Sequence, residues 1–263
     1  MNPPIVVVDA FTHRPYGGNP AAVCVLDAET DDAWMQAVAA EMNLSETAFL
    51  VPRDSGEWSL RWFTPRVEVS LCGHATLASA HALWTEFNAS DDILRFHTRS
   101  GVLSAERAGN RIFLDFPSDP PTAVDSPPGL FEALGVDPSA VRKGREDLLV
   151  VLENAEQLRT LAPDFNRLAS IETRGVCVTA PGSDAGFDFL SRFFGPRVGI
   201  NEDPVTGSAH CLLAPYWGAI LGKREMVGFQ ASARGGEVGV ELQDGRVRLS
   251  GRAVTTLRGE LRA

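Results

Sequence analysis

One short phrase recurs half a chain later. Arg61-Trp62-Phe63-Thr64-Pro65-Arg66-Val67 leads into Gly73-His74-Ala75, and Arg192-Phe193-Phe194-Gly195-Pro196-Arg197-Val198 leads into Gly207-Ser208-Ala209. The 263 residues therefore read as two diverged copies of one unit. Each copy runs through an aromatic strand, a Gly-containing turn and an apolar helical stretch whose first turn leaves backbone N–H groups unpaired. A duplicated fold of this kind is expected to place a site where its copies meet, with two helix starts available to an anion.

Along the chain, Ile5 to Phe11 and Ala21 to Leu26 read as strands joined by a loop rich in Gly and Pro. Asp31 and Asp32 open an amphipathic helix that Asn43 ends. Strands at Thr47 to Val51 and Trp58 to Phe63 precede a helix from His74 to Phe87, and three alternating segments finish the first half. Residues 117–128 hold five prolines in twelve residues, the composition of a linker. The expected division is thus a lobe over 1–116, a linker over 117–128 and a lobe over 129–263, with the last dozen residues able to cross back to the first lobe. In the second half, strands are expected near Leu148 to Leu152, Val176 to Thr179 and Phe187 to Phe194, with a long helix from about Ser208.

A formal net charge of -10 disfavours nucleic-acid binding, which needs a basic face. No apolar run approaches the roughly 18 residues of a membrane span. Cys24, Cys72, Cys177 and Cys211 lack CxxC spacing, so reduced thiols and a cytoplasmic location are expected. His74, His81 and His210 come without an HExxH or Cys/His cluster, so no metal is expected. Nucleotide-binding glycine spacings and a GxSxG nucleophile elbow are also lacking.

Glu46 is the leading acid/base candidate, a carboxylate between a helix end and an apolar strand, where partial burial would tune it. The alternative is a carboxylate that pairs with an arginine or forms a cap. Asp203 before Pro204, and His74 at the first helix start, are weighed in the same way against an ordinary turn and a satisfied structural histidine. Gly73, Gly207 and Ser208 sit at the two helix starts and are candidates to hold a substrate carboxylate. A two-thiol racemase is disfavoured, because only Cys72 adjoins a repeated loop.

The stretches Asp9-Ala10-Phe11 with Gly18-Asn19-Pro20-Ala21, Leu44-Ser45-Glu46-Thr47-Ala48-Phe49, Cys72-Gly73-His74-Ala75-Thr76 and Glu202-Asp203-Pro204-Val205-Thr206-Gly207-Ser208-Ala209 resemble the PhzF-like phenazine biosynthesis family, over essentially the whole chain. The resemblance implies an α+β chain of two pseudo-symmetric lobes with the diaminopimelate epimerase-like fold, each a barrel-like mixed sheet around a central helix. It also implies a cofactor-independent isomerase in which Glu46, His74 and Asp203 move or relay a proton and Asn19, Gly73, Gly207 and Ser208 bind a small carboxylated substrate. Dihydro-hydroxy-anthranilate is the family's namesake case. A homodimer is implied as well. A non-catalytic carboxylate-binding protein and a hydroxy-acid dehydratase using the same residues remain alternatives.

Overall fold

The computed structural model describes residues 2–182 and 186–262. It divides the chain into two compact units, residues 1–115 with 250–263, and residues 116–249. In the first unit, β1 (Pro4–Ala10) and β2 (Asn19–Val25) are followed by α1 (Asp32–Met42), β3 (Glu46–Pro52), β4 (Trp58–Phe63), β5 (Glu68–Val69) and α2 (Gly73–Thr85). β6 (Ile93–Thr98), β7 (Gly101–Ala108) and β8 (Arg111–Pro117) complete the run. The second unit continues with β9 (Thr122–Ala123), α3 (Leu130–Leu134), β10 (Ala140–Lys143), β11 (Asp147–Val151), α4 (Ala155–Arg159), α5 (Phe165–Leu168), β12 (Gly175–Pro181) and β13 (Phe189–Gly195). β14 (Ile200–Asp203), α6 (Gly207–Leu221), β15 (Glu225–Gln230), β16 (Gly236–Gln243) and β17 (Arg246–Gly251) follow, before β18 (Ala253–Glu260) returns to pair antiparallel with β1.

The strand pairings repeat. In the first unit β2 runs parallel to β3, β3 antiparallel to β4, β4 parallel to β6 and antiparallel to β5, and β6 antiparallel to β7. In the second, β11 to β12, β12 to β13, β13 to β15 and β14, and β15 to β16 follow the same sequence of directions. Each parallel step needs a crossover, and the apolar helices α2 and α6 supply the long ones.

α2 packs against β1, β2, β3, β7 and β18. Its Leu77, Ala78, Ala80, Ala82 and Leu83 are wholly buried, so it is apolar on nearly every side, as a helix enclosed by sheet must be. α6 packs against β11, β15 and β16 and carries Pro215 in its interior. A helical proline leaves the carbonyl four residues back without its donor. That carbonyl, on Cys211, accepts from the Asp119 N–H at 3.0 Å, so the fold itself repairs the gap.

α1 follows its sequence signals. Asp31 caps the start by accepting from the Trp34 N–H, and Asn43 ends the helix in the left-handed conformation. Both repeated phrases end in matched ion pairs. Arg61 is bidentate to Glu68, and Arg192 is bidentate to Glu202. Each arginine also lies over a ring of its own strand, Phe63 at 5.2 Å and Phe194 at 5.0 Å. The clamps fasten β5 to β4 and β14 to β13 just before each central helix begins.

Residues 117–128, read from the sequence as a linker, fall within the second unit, where Thr122–Ala123 pairs with β10. The short elements β5, β9, β10, β14 and α3 have no counterpart in the sequence reading, being too brief for any periodicity to mark them. All four cysteines are free and buried. Among the described residues, no helix is long and apolar enough to cross a membrane.

Two expectations test this architecture. Gly18 has φ +60°, and a Cβ there would lie 2.0 Å from the Ala10 carbonyl oxygen. Gly18→Ala should therefore lower unfolding stability by at least about 1 kcal/mol from the left-handed backbone alone, read from urea midpoints. His210, fully buried on α6, has its pKa pushed down to about 4 by burial, with its hydrogen bond to Thr206 opposing. The unfolded chain then takes up a proton that the folded one refuses, so stability should fall as pH drops from about 6.5 towards 4. That slope should be shallower in His210→Gln.

Candidate active site

The parallel pairing of β2 and β3 sets Ala21 opposite Glu46, so the starts of the two strands lie side by side. Asn19 opens β2 and Glu46 opens β3. α2, seated on the same strands, contributes His74 from its first turn.

His74 Nε2 lies 3.2 Å from Glu46 Oε2, with side-chain exposures of 6% and 12%. On the other edge of the ring, Nδ1 is 3.3 Å from Asn19 Nδ2 and 3.5 Å from Cys72 Sγ. Ser45 donates to Asn19 Oδ1 at 3.2 Å. The Glu46 and His74 atoms that face each other are buried, yet their alignment is not that of a hydrogen bond, and neither has another such partner. Leaving buried polar groups in this condition costs on the order of 1–3 kcal/mol each, which a purely structural pair would avoid.

Burial works against a charge on His74, but the Cys72 sulfur and the Glu46 carboxylate outweigh it and hold the imidazole well above its ordinary pKa. Burial, reinforced by Glu46, pushes the Cys72 thiol up. Among the described residues, Glu46, Cys72 and His74 form a group whose ligand-type atoms lie within 4.8 Å of one another. The sulfur and the carboxylate approach different nitrogens of one ring, an arrangement suited to handing on protons rather than converging on one ion.

α2 begins at Gly73 with Cys72 as N-cap and no side-chain capping bond, and α6 begins at Gly207 with Thr206 as N-cap and no such bond either. Neither glycine takes a positive φ. Their first-turn N–H groups carry the positive end of the helix dipole, which favours an anion.

In the second unit, Asp203 is 8% exposed at the end of β14, and its Oδ2 accepts from the Thr206 hydroxyl. Ser208 is exposed, and its Oγ accepts from Arg174 Nη2 at 3.0 Å. Arg174 is also bidentate to the buried Asp147, with 2.9 Å from Nε to Oδ1, and lies 5.9 Å from the centre of the Phe193 ring. Burial pushes the Asp147 carboxyl up, and Arg174 pulls against it.

Glu46, His74 and Asn19 are thus drawn together in the first unit, whereas Asp203, Gly207 and Ser208 belong to the second. Asn19 is wholly buried, its Oδ1 accepting from Ser45 and its Nδ2 lying beside His74 Nδ1. The sequence reading missed Cys72 as a neighbour of His74, and also Arg174, Asp147 and Gln230. Proximity of Cys72 to His74 was available from their spacing at a helix start; the other three lie in segments with no motif.

Residues 8–259 match the family model described as phenazine biosynthesis-like protein, PhzC-PhzF. An uncharacterized isomerase of Halalkalibacterium halodurans is 52% identical over 99% of each chain. The crystal structure of a PhzF-family phenazine biosynthesis protein from Enterococcus faecalis covers 100% of both chains at 41% identity, with a TM-score of 0.96. A predicted epimerase of Pseudomonas aeruginosa is 25% identical, with a TM-score of 0.73 over 99% of each chain. A mixed α/β architecture of the diaminopimelate epimerase-like kind, a buried carboxylate–imidazole pair and these relatives agree: the chain belongs to the PhzC-PhzF phenazine biosynthesis-like family and is an isomerase.

Proposed function

We propose that the isomerase is a cofactor-independent proton-transfer enzyme acting on a small carboxylated substrate, with Glu46 as the base. The observation that carries this reading is the buried pair Glu46 Oε2 and His74 Nε2, 3.2 Å apart with hydrogen-bonding capacity unspent. The Glu46 carboxylate takes a proton from a carbon activated by conjugation. The electron pair shifts along the π-system, and the same carboxyl returns the proton to a second carbon, so no atom is gained or lost. The His74 imidazolium offsets negative charge developing beside it, as a preorganised cation in a water-poor site does most effectively. Gly73 and the uncapped start of α2 supply N–H groups for the substrate carboxylate. The family resemblance assigns Asp203 a proton-relay role and Gly207 and Ser208 a part in substrate binding.

Proton NMR in D2O of a panel of carboxylated dienes and hydroxy acids, including dihydro-hydroxy-anthranilate, tests the reading. Wild type should move deuterium into carbon or migrate a double bond, and Glu46→Gln should fold but lose at least about a hundredfold in rate. Rates within tenfold of wild type would remove Glu46 as the base. A product lighter by one water would turn the reaction to dehydration, and binding without exchange would make the chain a carboxylate-binding protein.

The pH profile is a second check. Because His74 is held well above its ordinary pKa, its proton is retained through neutrality and lost only as pH rises further. kcat should therefore fall on an alkaline limb well above pH 6.5, the ordinary value for histidine. That limb should be missing from the residual activity of His74→Gln.

A further inference from the structure

Gln230, the last residue of β15, is wholly buried and far in sequence from every motif singled out above. Its amide spans the turn that leads into α6. Oε1 accepts the Thr206 backbone N–H at 2.9 Å, while Nε2 donates to the Asp203 carbonyl at 2.8 Å and to Thr206 Oγ1 at 3.1 Å. The polarity of this set has only one solution. A backbone N–H can only donate, so the amide oxygen must face Thr206 N; a backbone carbonyl can only accept, so the amide nitrogen must face Asp203 O. Thr206 Oγ1, already accepting from that nitrogen, spends its single proton on Asp203 Oδ2. The carboxylate oxygen is thereby made an acceptor.

We propose that Gln230 is a positioning residue that, through the Thr206 hydroxyl, fixes Asp203 as a proton acceptor at the start of α6. The assignment deepens the proposed function and rests on it only for the role of Asp203 in turnover. Several other groups bear on Asp203. Arg174 acts on it as a positive charge and is itself paired with Asp147 and Glu146. Glu202 next to it on β14 is neutralised by Arg192 of β13. His210 of α6 lies one turn on, its Nδ1 bonded to the Thr206 carbonyl, and is neutral above about pH 4. None of these supplies the hydroxyl proton, so the Thr206 contribution is separable by substitution.

The test is a carbon-13 NMR titration of full-length protein labelled at the aspartate carboxyl, with the Asp203 signal identified by its loss in Asp203→Asn. Thr206→Val and Gln230→Met should both move the Asp203 titration upward by about one pH unit or more, the loss expected when a hydrogen bond to the charged form is removed. Thr206→Ser, which keeps the hydroxyl, should restore it. If Gln230→Met does not fold, Gln230→Asn, whose amide is one methylene too short to span the turn, takes its place, and an Asp203 titration unchanged from wild type in the Gln230 variant that folds would overturn the proposal. An unchanged titration in Thr206→Val would overturn the proposal, as would a shift that Ser fails to reverse. The acidic limb of kcat/KM should move together with the titration. A moving titration with a fixed limb would leave the positioning role standing and remove Asp203 from the reaction.

Discussion

The approach of Glu46 to His74 depends on one register. Glu46 is the first residue of β3 and lies opposite Ala21 of β2, while Asn19 stands two residues earlier on β2 and thus on the same face as Ala21. A slip of one residue would send Glu46 to the opposite face of the sheet and strand the imidazole. What prevents the slip is close packing on both faces of the two strands. Ala22, Cys24 and Phe49 lie in the apolar cluster beneath α1, while Ala21, Val23, Ala48 and Leu50 are wholly buried on the opposite face, so a slip would force two differently shaped sets to exchange places. The chemistry is thus held by the apolar packing of the residues between, and α2 needs only to be enclosed by that sheet for His74 to arrive.

The two copies of the unit keep the same frame and diverge at the helix start. Both retain an arginine–glutamate clamp before the turn, an N-cap residue whose side chain makes no capping bond and a glycine at the first helical position. The first copy then places an imidazole next, at His74, against a carboxylate from the neighbouring strand. The second places Ser208 there, and its carboxylate, Asp203, comes from within the turn and is bonded to Thr206 of the same turn. One copy offers a buried carboxylate–imidazole pair drawn from two elements, and the other a self-contained, hydrogen-bonded loop. Duplication followed by specialisation of each turn accounts for both.

Legibility in the sequence followed the range of the interactions. The α1 boundaries were readable because their causes are local: an aspartate side chain three residues from its donor and an asparagine tolerant of the left-handed region. The repeat was readable because the clamps and turns recur as strings. Gln230 was not, since its partners lie 24 and 27 residues away and an isolated buried glutamine carries no pattern. Arg174 and Asp147 were hidden for the same reason, being 27 residues apart on either side of two short helices. Residues 117–128 were only partly readable because proline content reports what an element cannot be, and leaves room for a two-residue strand at Thr122–Ala123.

Buried polar groups in this chain fall into two kinds, and the difference separates frame from chemistry. Arg192 spends four of its five N–H donors, with two bonds to Glu202 and two more to the carbonyls of Leu158 and Leu161, so the end of α4 is tied to β13. Such a group gains its full electrostatic return in the resting protein, and any change there costs stability first. The Glu46 and His74 atoms bear a different signature: a carboxylate oxygen and a ring nitrogen 3.2 Å apart, both buried and neither with a further hydrogen-bond partner. A pair left in this condition keeps hydrogen-bonding capacity that a third group can engage. On the proposed function, that third group is the substrate atom that gives up, or takes back, a proton.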